Sequence, residues 1–227
     1  MRALSEVHPL VLYYLVVQVI YLPVAMYRAI QKQKTKDAVV PTFRQICRSA
    51  ILGISLYTTL ALMTAYAVNL PLFRPWRPST NEILIGIAML FGWFVIRASI
   101  LPWLRKGAPQ NNMLRFPTTW RQLALWGVVS IVAGVGEEII YRGVLYDCLG
   151  WVLHQNIVAA VISALVFSYL HVGQGWKSGV FIFILALTFQ WLVSYAGSLY
   201  MAMLIHATYD LAVGLQHVLA VKRQQLS

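Results

Sequence analysis

Uncharged apolar runs approaching twenty residues recur along this chain, and no other feature limits its fold as much. A helix needs about 20 such residues to cross the hydrocarbon of a bilayer, where each backbone amide must be satisfied within its own segment. Seven spans are predicted: Pro9 to Ile30, Ile46 to Leu70, Ile83 to Leu104, Arg121 to Leu149, Ile157 to Leu170, Val180 to Ser194 and Ser198 to Val221. The expected fold is all-α, a polytopic membrane protein of about seven transmembrane helices. The fifth and sixth runs are short for complete crossings, so tilt, or an eighth element that is re-entrant or interfacial, fits them too. Charged residues make up only 11% of the chain, against about a quarter in soluble domains. Little aqueous surface is left to cover.

The net charge of +11 would suggest nucleic acid in a soluble protein. Here the basic residues lie in short loops between apolar spans, and no basic patch sits on a soluble fold. No nucleic-acid partner is expected; the bilayer is the first partner. With seven spans, one side receives Arg28, Lys32, Lys34, Lys36, Arg44, Arg48, Arg105, Lys106, Arg115, Arg121, Lys177, Lys222 and Arg223, and the other Arg2, Arg74 and Arg77. This asymmetry predicts the N-terminus out and the C-terminus in. Trp76, Trp103, Trp120, Trp151 and Trp176 fall near span ends, as an aromatic belt requires. Arg2 and Glu6 precede the first run without a small-residue cleavage site, so that run reads as a retained span. Cys47 and Cys148 suit neither a structural disulfide nor zinc-site spacing.

No internal repeat is visible. Lys106 to Trp120, with Pro109, Asn111, Asn112 and Pro117, reads as a linker. It divides an N-terminal three-span region (1–120) from a four-span unit (121–221) and a cytosolic tail (222–227).

Ionisable residues inside spans are costly, and each is a functional hypothesis by default. Arg97 lies near a span end, where it can snorkel. The others cluster late in the chain. Span four reads Gly134-Val135-Gly136-Glu137-Glu138-Ile139-Ile140-Tyr141-Arg142-Gly143, span five ends Phe167-Ser168-Tyr169-Leu170-His171, and span seven contains His206-Ala207-Thr208-Tyr209-Asp210. Glu138 and Arg142, four apart, stack on one helix face and can pair. Glu137 lies about 100° around the helix from Glu138, free to face a cavity. His206 and Asp210 are also four apart, so Asp210 can orient the imidazole. Gly134, Gly136 and Gly143 would admit another backbone, from a helix or a substrate.

Plainer roles compete. A Glu–Arg pair in a membrane helix can be inter-helix glue, and a histidine at a span end, such as His171, is ordinarily interfacial. Glu137, with no basic partner in its own span, needs protonation or a polar cavity. His8, His154 and His217 have no such company and read as interfacial or loop residues. Gly134-x-Gly136 is too weak a pattern for nucleotide binding.

In order, Glu137-Glu138-x-x-x-Arg142, Phe167-x-x-x-His171 and His206-x-x-x-Asp210 resemble the CPBP family of intramembrane peptidases. That family includes CAAX prenyl endopeptidases of the Rce1 type and bacteriocin-processing and immunity proteins. The resemblance covers about residues 121 to 215 and implies a glutamic-type endopeptidase without a cofactor, acting on a membrane-associated or lipidated peptide. It implies Glu137 as general base, His171 as a second ligand of the water, His206 at the oxyanion, and Glu138 and Arg142 in support. Many relatives carry Asn at the last position, where this chain has Asp210. An ionised carboxylate only accepts hydrogen bonds, so either burial keeps Asp210 protonated or, the preferred reading, Asp210 acts indirectly by holding His206 in its cationic, donating form.

Three rival readings stay open. One is a zinc peptidase with Glu137, His171 and His206 as ligands, although the His-Glu-x-x-His arrangement is lacking. Another is a non-catalytic immunity or binding protein of the same fold. The third is a transporter, whose expected repeat is missing. Size and loop charge, with the resemblance, suggest a bacterial cytoplasmic membrane. The substrate sequence and the oligomeric state are not legible.

Overall fold

A computed structural model describes residues 7–33, 41–105 and 116–226. Among them run seven helical rods. The first, α1, is built of Pro9–Val16, a π turn at Val17–Tyr21, and Leu22–Gln33. Next come α2 (Phe43–Ala67) and α3 (Thr80–Arg105). α4 joins Trp120–Glu137 to a π segment, Glu138–Leu145, and to Tyr146–Leu153. α5 (Asn156–Leu170), α6 (Trp176–Ala196) and α7 (Tyr200–Leu226) complete the set.

The rods start where short polar side chains can take the place of missing helical partners. The Thr42 hydroxyl accepts from the Gln45 amide at 3.3 Å, while the Gln45 side chain accepts from the Thr42 amide at 2.8 Å. Ser79 and Glu82 repeat this exchange at the head of α3, at 3.3 and 2.9 Å. Thr119 caps Gln122 at the head of α4. α6 stops at Gly197, whose φ of +61° is the left-handed conformation that glycine adopts without penalty.

Six of the rods are long and apolar enough to cross a membrane, and α5 is a shorter apolar helix. Its 15 residues, at about 1.5 Å each, cover about 22 Å of a ~30 Å hydrocarbon core. The sixth span is longer than hydropathy suggests, 21 residues rather than a short run. The difference is its first turn, which carries the polar Lys177 and Ser178. The Lys177 ammonium donates to the Trp103 carbonyl at 2.9 Å and lies 4.8 Å from that indole's centroid, as an interfacial lysine can. The chain is an integral membrane protein, and its surface shows it: Leu52, Leu56, Phe91 and Ile157 are each more than 60% exposed on the outside of the bundle.

α4 is the hub, packed against both α2 and α7. A Cβ added at Gly134 would lie 2.6 Å from the Ala207 nitrogen of α7, and one at Gly136 2.6 Å from Ile54 Cγ2 and Thr58 Oγ1 of α2. The two glycines therefore admit neighbouring helices, the first of the two options the sequence left open. They bring both helices against α4 just before Glu137. Apolar residues of α1, α2, α4 and α5 pack around Tyr14 and Val144 in one core; α3, α6 and α7 build another around Trp93, Phe189 and Ile205. Cys47 and Cys148 are free and buried. Most of the stretch read as a linker, 106–115, lies outside the described residues.

Candidate active site

Glu137 ends the α-helical part of α4, and Glu138 opens the π segment. A π segment closes its turns with i→i+5 bonds and is commonly found at functional sites. All eight of its residues are buried. Two of its carbonyls are held from outside. The Tyr14 hydroxyl of α1, fully buried, donates to the Ile140 carbonyl at 2.8 Å. The Ser163 hydroxyl of α5 donates to the Tyr141 carbonyl at 2.8 Å. These two residues were not singled out in the sequence, because their hydroxyls act on backbone atoms that no motif displays.

The paired charges fall where the i,i+4 spacing puts them. Arg142 Nη1 lies 3.3 Å from Glu138 Oε1, with both side chains out of solvent. Its guanidinium sits 4.4 Å from the Phe167 ring centroid and 5.6 Å from that of Phe189, so aromatic faces help to solvate the charge.

Glu138 also holds the histidine. His206 Nδ1 donates to Glu138 Oε1 at 2.7 Å, a charge-assisted contact that fixes the ring. The sequence pointed to Asp210 for this task, but Asp210 Oδ2 stands 3.7 Å from the other nitrogen, Nε2. Glu137 Oε2 is also 3.7 Å from Nε2. His206 thus turns one nitrogen to a buried acid and offers the other between two acids. Phe189 stacks on the ring at 5.6 Å. The Trp126 indole of α4 donates to the Asp210 carbonyl at 2.8 Å and ties α4 to α7 one turn beyond His206.

His171 caps α5. Its Nδ1 lies 2.8 Å from the Phe167 carbonyl, which assigns the proton there and leaves Nε2 for the site. The Phe167 ring packs 4.6 Å from the imidazole.

Glu137, His171, His206 and Asp210 all line one cavity of about 460 Å³. Glu138 and Arg142 stand behind its wall. Other lining residues include Ile46 and Cys47 at the head of α2, Gln174 and Ser178 at the head of α6, and His217 late in α7. The helices alternate in direction, so all of these sit toward the face that carries Arg44, Arg48, Arg121, Lys177, Lys222 and Arg223. The cavity also includes Arg97 of α3. All six residues singled out in the sequence are therefore gathered, four on the cavity and two behind it. Two carboxylates and two imidazoles thus line one cavity with room for water. Among the described residues, no three His, Cys, Asp or Glu side chains are arranged as a metal-ligand set.

Residues 119–212 match the family model of the Rce1-like proteins, described as type II CAAX prenyl endopeptidase Rce1-like. The matched segment runs from the head of α4 into α7 and contains all six residues; α1, α2 and α3 precede it. No curated protein and no solved structure gives a match.

Proposed function

Residues 119–212 match the Rce1-like family model, and on that premise we propose that the chain is an intramembrane endopeptidase that cleaves membrane-associated peptides with a glutamate-activated water. The observation that carries this reading is the pairing of Glu137 with His206 Nε2 at 3.7 Å on a cavity they share with His171.

In this reading Glu137 takes a proton from a water held against His171 Nε2, and the resulting hydroxide attacks the scissile carbonyl. A carboxylate in a water-poor cavity is a stronger base than one in bulk water. Charge develops on the carbonyl oxygen, and His206 meets it. With Nδ1 donating to Glu138, Nε2 donates to the oxyanion when the ring carries both protons. The carboxylates of Glu138 and Asp210 offset that cation. One such donor contributes about 2.7–4 kcal/mol at the transition state. Glu137 then returns its proton to the departing amine. Arg142 holds Glu138 in place at 3.3 Å, so its role is one of positioning.

The loop charges favour a cytoplasmic opening for the cavity, with the N-terminus out and the C-terminus in. A bacterial cytoplasmic membrane fits this arrangement.

The reading is tested by incubating the purified protein with a library of membrane peptides, prenylated and unmodified, alongside Glu137→Gln and His171→Ala, each with and without a chelator. Cleavage by the wild type that both substitutions abolish and the chelator leaves intact supports a glutamic peptidase. Loss on chelation assigns the chemistry to a metal instead. A folded wild-type protein that cleaves nothing contradicts the peptidase reading.

A further inference from the structure

A second cavity opens on the opposite face of the bundle, and one residue behind the reaction centre reaches it. It lies between the α2–α3 connection, the later part of α4, the last turns of α6 and the α6–α7 turn, and holds about 250 Å³. Arg142 is the shared member. It lines this cavity and stands 3.3 Å from Glu138 Oε1, behind the wall of the catalytic one. Arg74, Asp147, Gln190, Ser194 and Ser198 supply the other polar side chains. Arg74 and Asp147 are exposed at the mouth, whereas Arg142 and Gln190 are buried deeper in.

Glu138 answers Arg142 only in part. Its Oε1 is nearer to His206 Nδ1, at 2.7 Å, and neither Nη1 nor Nη2 of Arg142 makes a hydrogen bond within the protein. Gln190 Nε2 is likewise without a partner. The two residues are only 3% and 5% exposed. All of these atoms are N–H donors, and a buried donor without an acceptor is costly. Formal charge points the same way: two guanidiniums and the carboxylate of Asp147 leave one positive charge on the lining. Asp147 lies within electrostatic reach of Arg74, so the excess falls at Arg142.

From this set of groups we infer that the second cavity binds a singly charged phosphate group, held at its base by Arg142 and Gln190 with Arg74 at its mouth. A guanidinium fork and an amide offer several directed donors, which suits the oxygens of a phosphate better than a halide. Asp147 sets the limit on charge, since it would repel a ligand with more than the one negative charge that the lining offsets. A lipid phosphodiester and free dihydrogen phosphate both meet that limit, and the mouth lies at a membrane face, where headgroups lie. Arg142 then couples the two cavities. An anion that draws on its guanidinium loosens its hold on Glu138, and by reciprocity loss of the Glu138 charge must tighten the anion. The binding does not rest on the peptidase reading; only an effect on turnover would.

Thermal unfolding tests the site without any cleavage. The full chain in an uncharged maltoside detergent is titrated with sodium phosphate at mildly acid pH, where inorganic phosphate is mainly singly charged, and sodium chloride holds the ionic strength constant. A saturable rise in Tm is expected, and its midpoint reports the affinity. Gln190→Leu and Arg74→Gln should each weaken binding by about ten-fold, the loss of one charge-assisted contact. Glu138→Gln should tighten it, and Glu138→Gln combined with Arg142→Met should abolish it. The same titration with dihexanoyl phosphatidylglycerol, against dihexanoylglycerol as its phosphate-free counterpart, separates the two sources. A phospholipid that saturates at a lower concentration than inorganic phosphate, while the glyceride does nothing, assigns the site to a lipid headgroup; the reverse order assigns it to free phosphate. No saturable shift from either source overturns the site. So does a shift that chloride or the glyceride reproduces, or one that Gln190→Leu and Arg74→Gln both leave unaltered. A protein that binds phosphate in this way and cleaves no peptide contradicts the peptidase reading while the phosphate site stands.

Discussion

Gly134→Ala isolates the geometry on which the site depends, because it adds one methyl group and no charge. The new Cβ would meet Ala207 of α7 at 2.6 Å from its nitrogen, 2.7 Å from its Cβ and 2.9 Å from its Cα. Carbon atoms pack best at about 3.5–4.0 Å, so α4 and α7 must separate by about 1 Å there. Two of the three atoms are backbone, and no rotamer change can move them aside. Overpacking of this kind costs about 1–3 kcal/mol. The larger effect falls on chemistry, since Ala207 adjoins His206, whose Nε2 sits 3.7 Å from Glu137 Oε2. A misplacement of about 1 Å can cost about 10²-fold in rate. Gly127→Ala is the matched control on the same pair of helices, because its Cβ would lie at an ordinary 3.6 Å from Leu211 Cδ1. Alanine is the better helix former by about 1 kcal/mol, so that variant should unfold at the wild-type temperature or above. The assay is initial cleavage rate beside thermal unfolding in detergent. A Gly134→Ala protein that folds and cleaves at the wild-type rate would refute the argument that this crossing sets the distance between Glu137 and His206.

Further substitutions probe the shell around the site. Tyr14→Phe removes the hydroxyl that holds the Ile140 carbonyl; it should cost about 1 kcal/mol in stability and lower kcat with little change in KM, and an unchanged kcat would mean that the π segment needs no such clamp. Glu138→Gln leaves Arg142 as a buried charge without its counter-ion, which should destabilise the fold by about 3–5 kcal/mol. The double variant Glu138→Gln with Arg142→Met should unfold at a higher temperature than Glu138→Gln alone, though without activity. Asp210→Asn should keep most activity while His206→Ala loses it, since Asp210 faces Nε2 only at 3.7 Å and acts through the histidine; a folded but inactive Asp210→Asn protein would assign Asp210 a direct role.

The spans were legible because crossing hydrocarbon demands long uncharged apolar runs, and the sequence also carries start signals in Thr42 with Gln45, Ser79 with Glu82 and Thr119 with Gln122. The length of α6 was not, because hydropathy discounts Lys177, while the helix keeps it by placing the ammonium on Trp103. The site residues were legible as types and spacings: acids, histidines and an arginine on three spans. Their pairing was only partly so. Sequence distance favoured Asp210 as the partner of His206, four positions away on one helix. Glu138, 68 positions away, sits closer, because Gly134 lets α4 and α7 meet and the π segment turns Glu138 toward α7. Arg97 read as a snorkelling residue from its place near a span end, and only the tertiary contacts show that it faces the cavity.

These contacts also bear on what the first three helices do. The family segment contains every charged group of the reaction centre, which suggests a self-sufficient catalytic unit with anchors attached. Physical dependence runs across that line, however. α1 supplies the Tyr14 hydroxyl to the π segment. α2 lies against Gly136, one residue before Glu137, at Ile54 and Thr58. α2 also walls the cavity with Ile46, Cys47, Ala50 and Ile54, and α3 contributes Arg97. In a bilayer an open flank beside two acids would face acyl chains, with no water to solvate a carboxylate, so a polar centre at this depth requires closure on all sides. The N-terminal helices provide that closure. Substitutions along the inner faces of α1 and α2 are therefore expected to reach the chemistry, while those at Leu52 or Leu56, on the lipid side, are not.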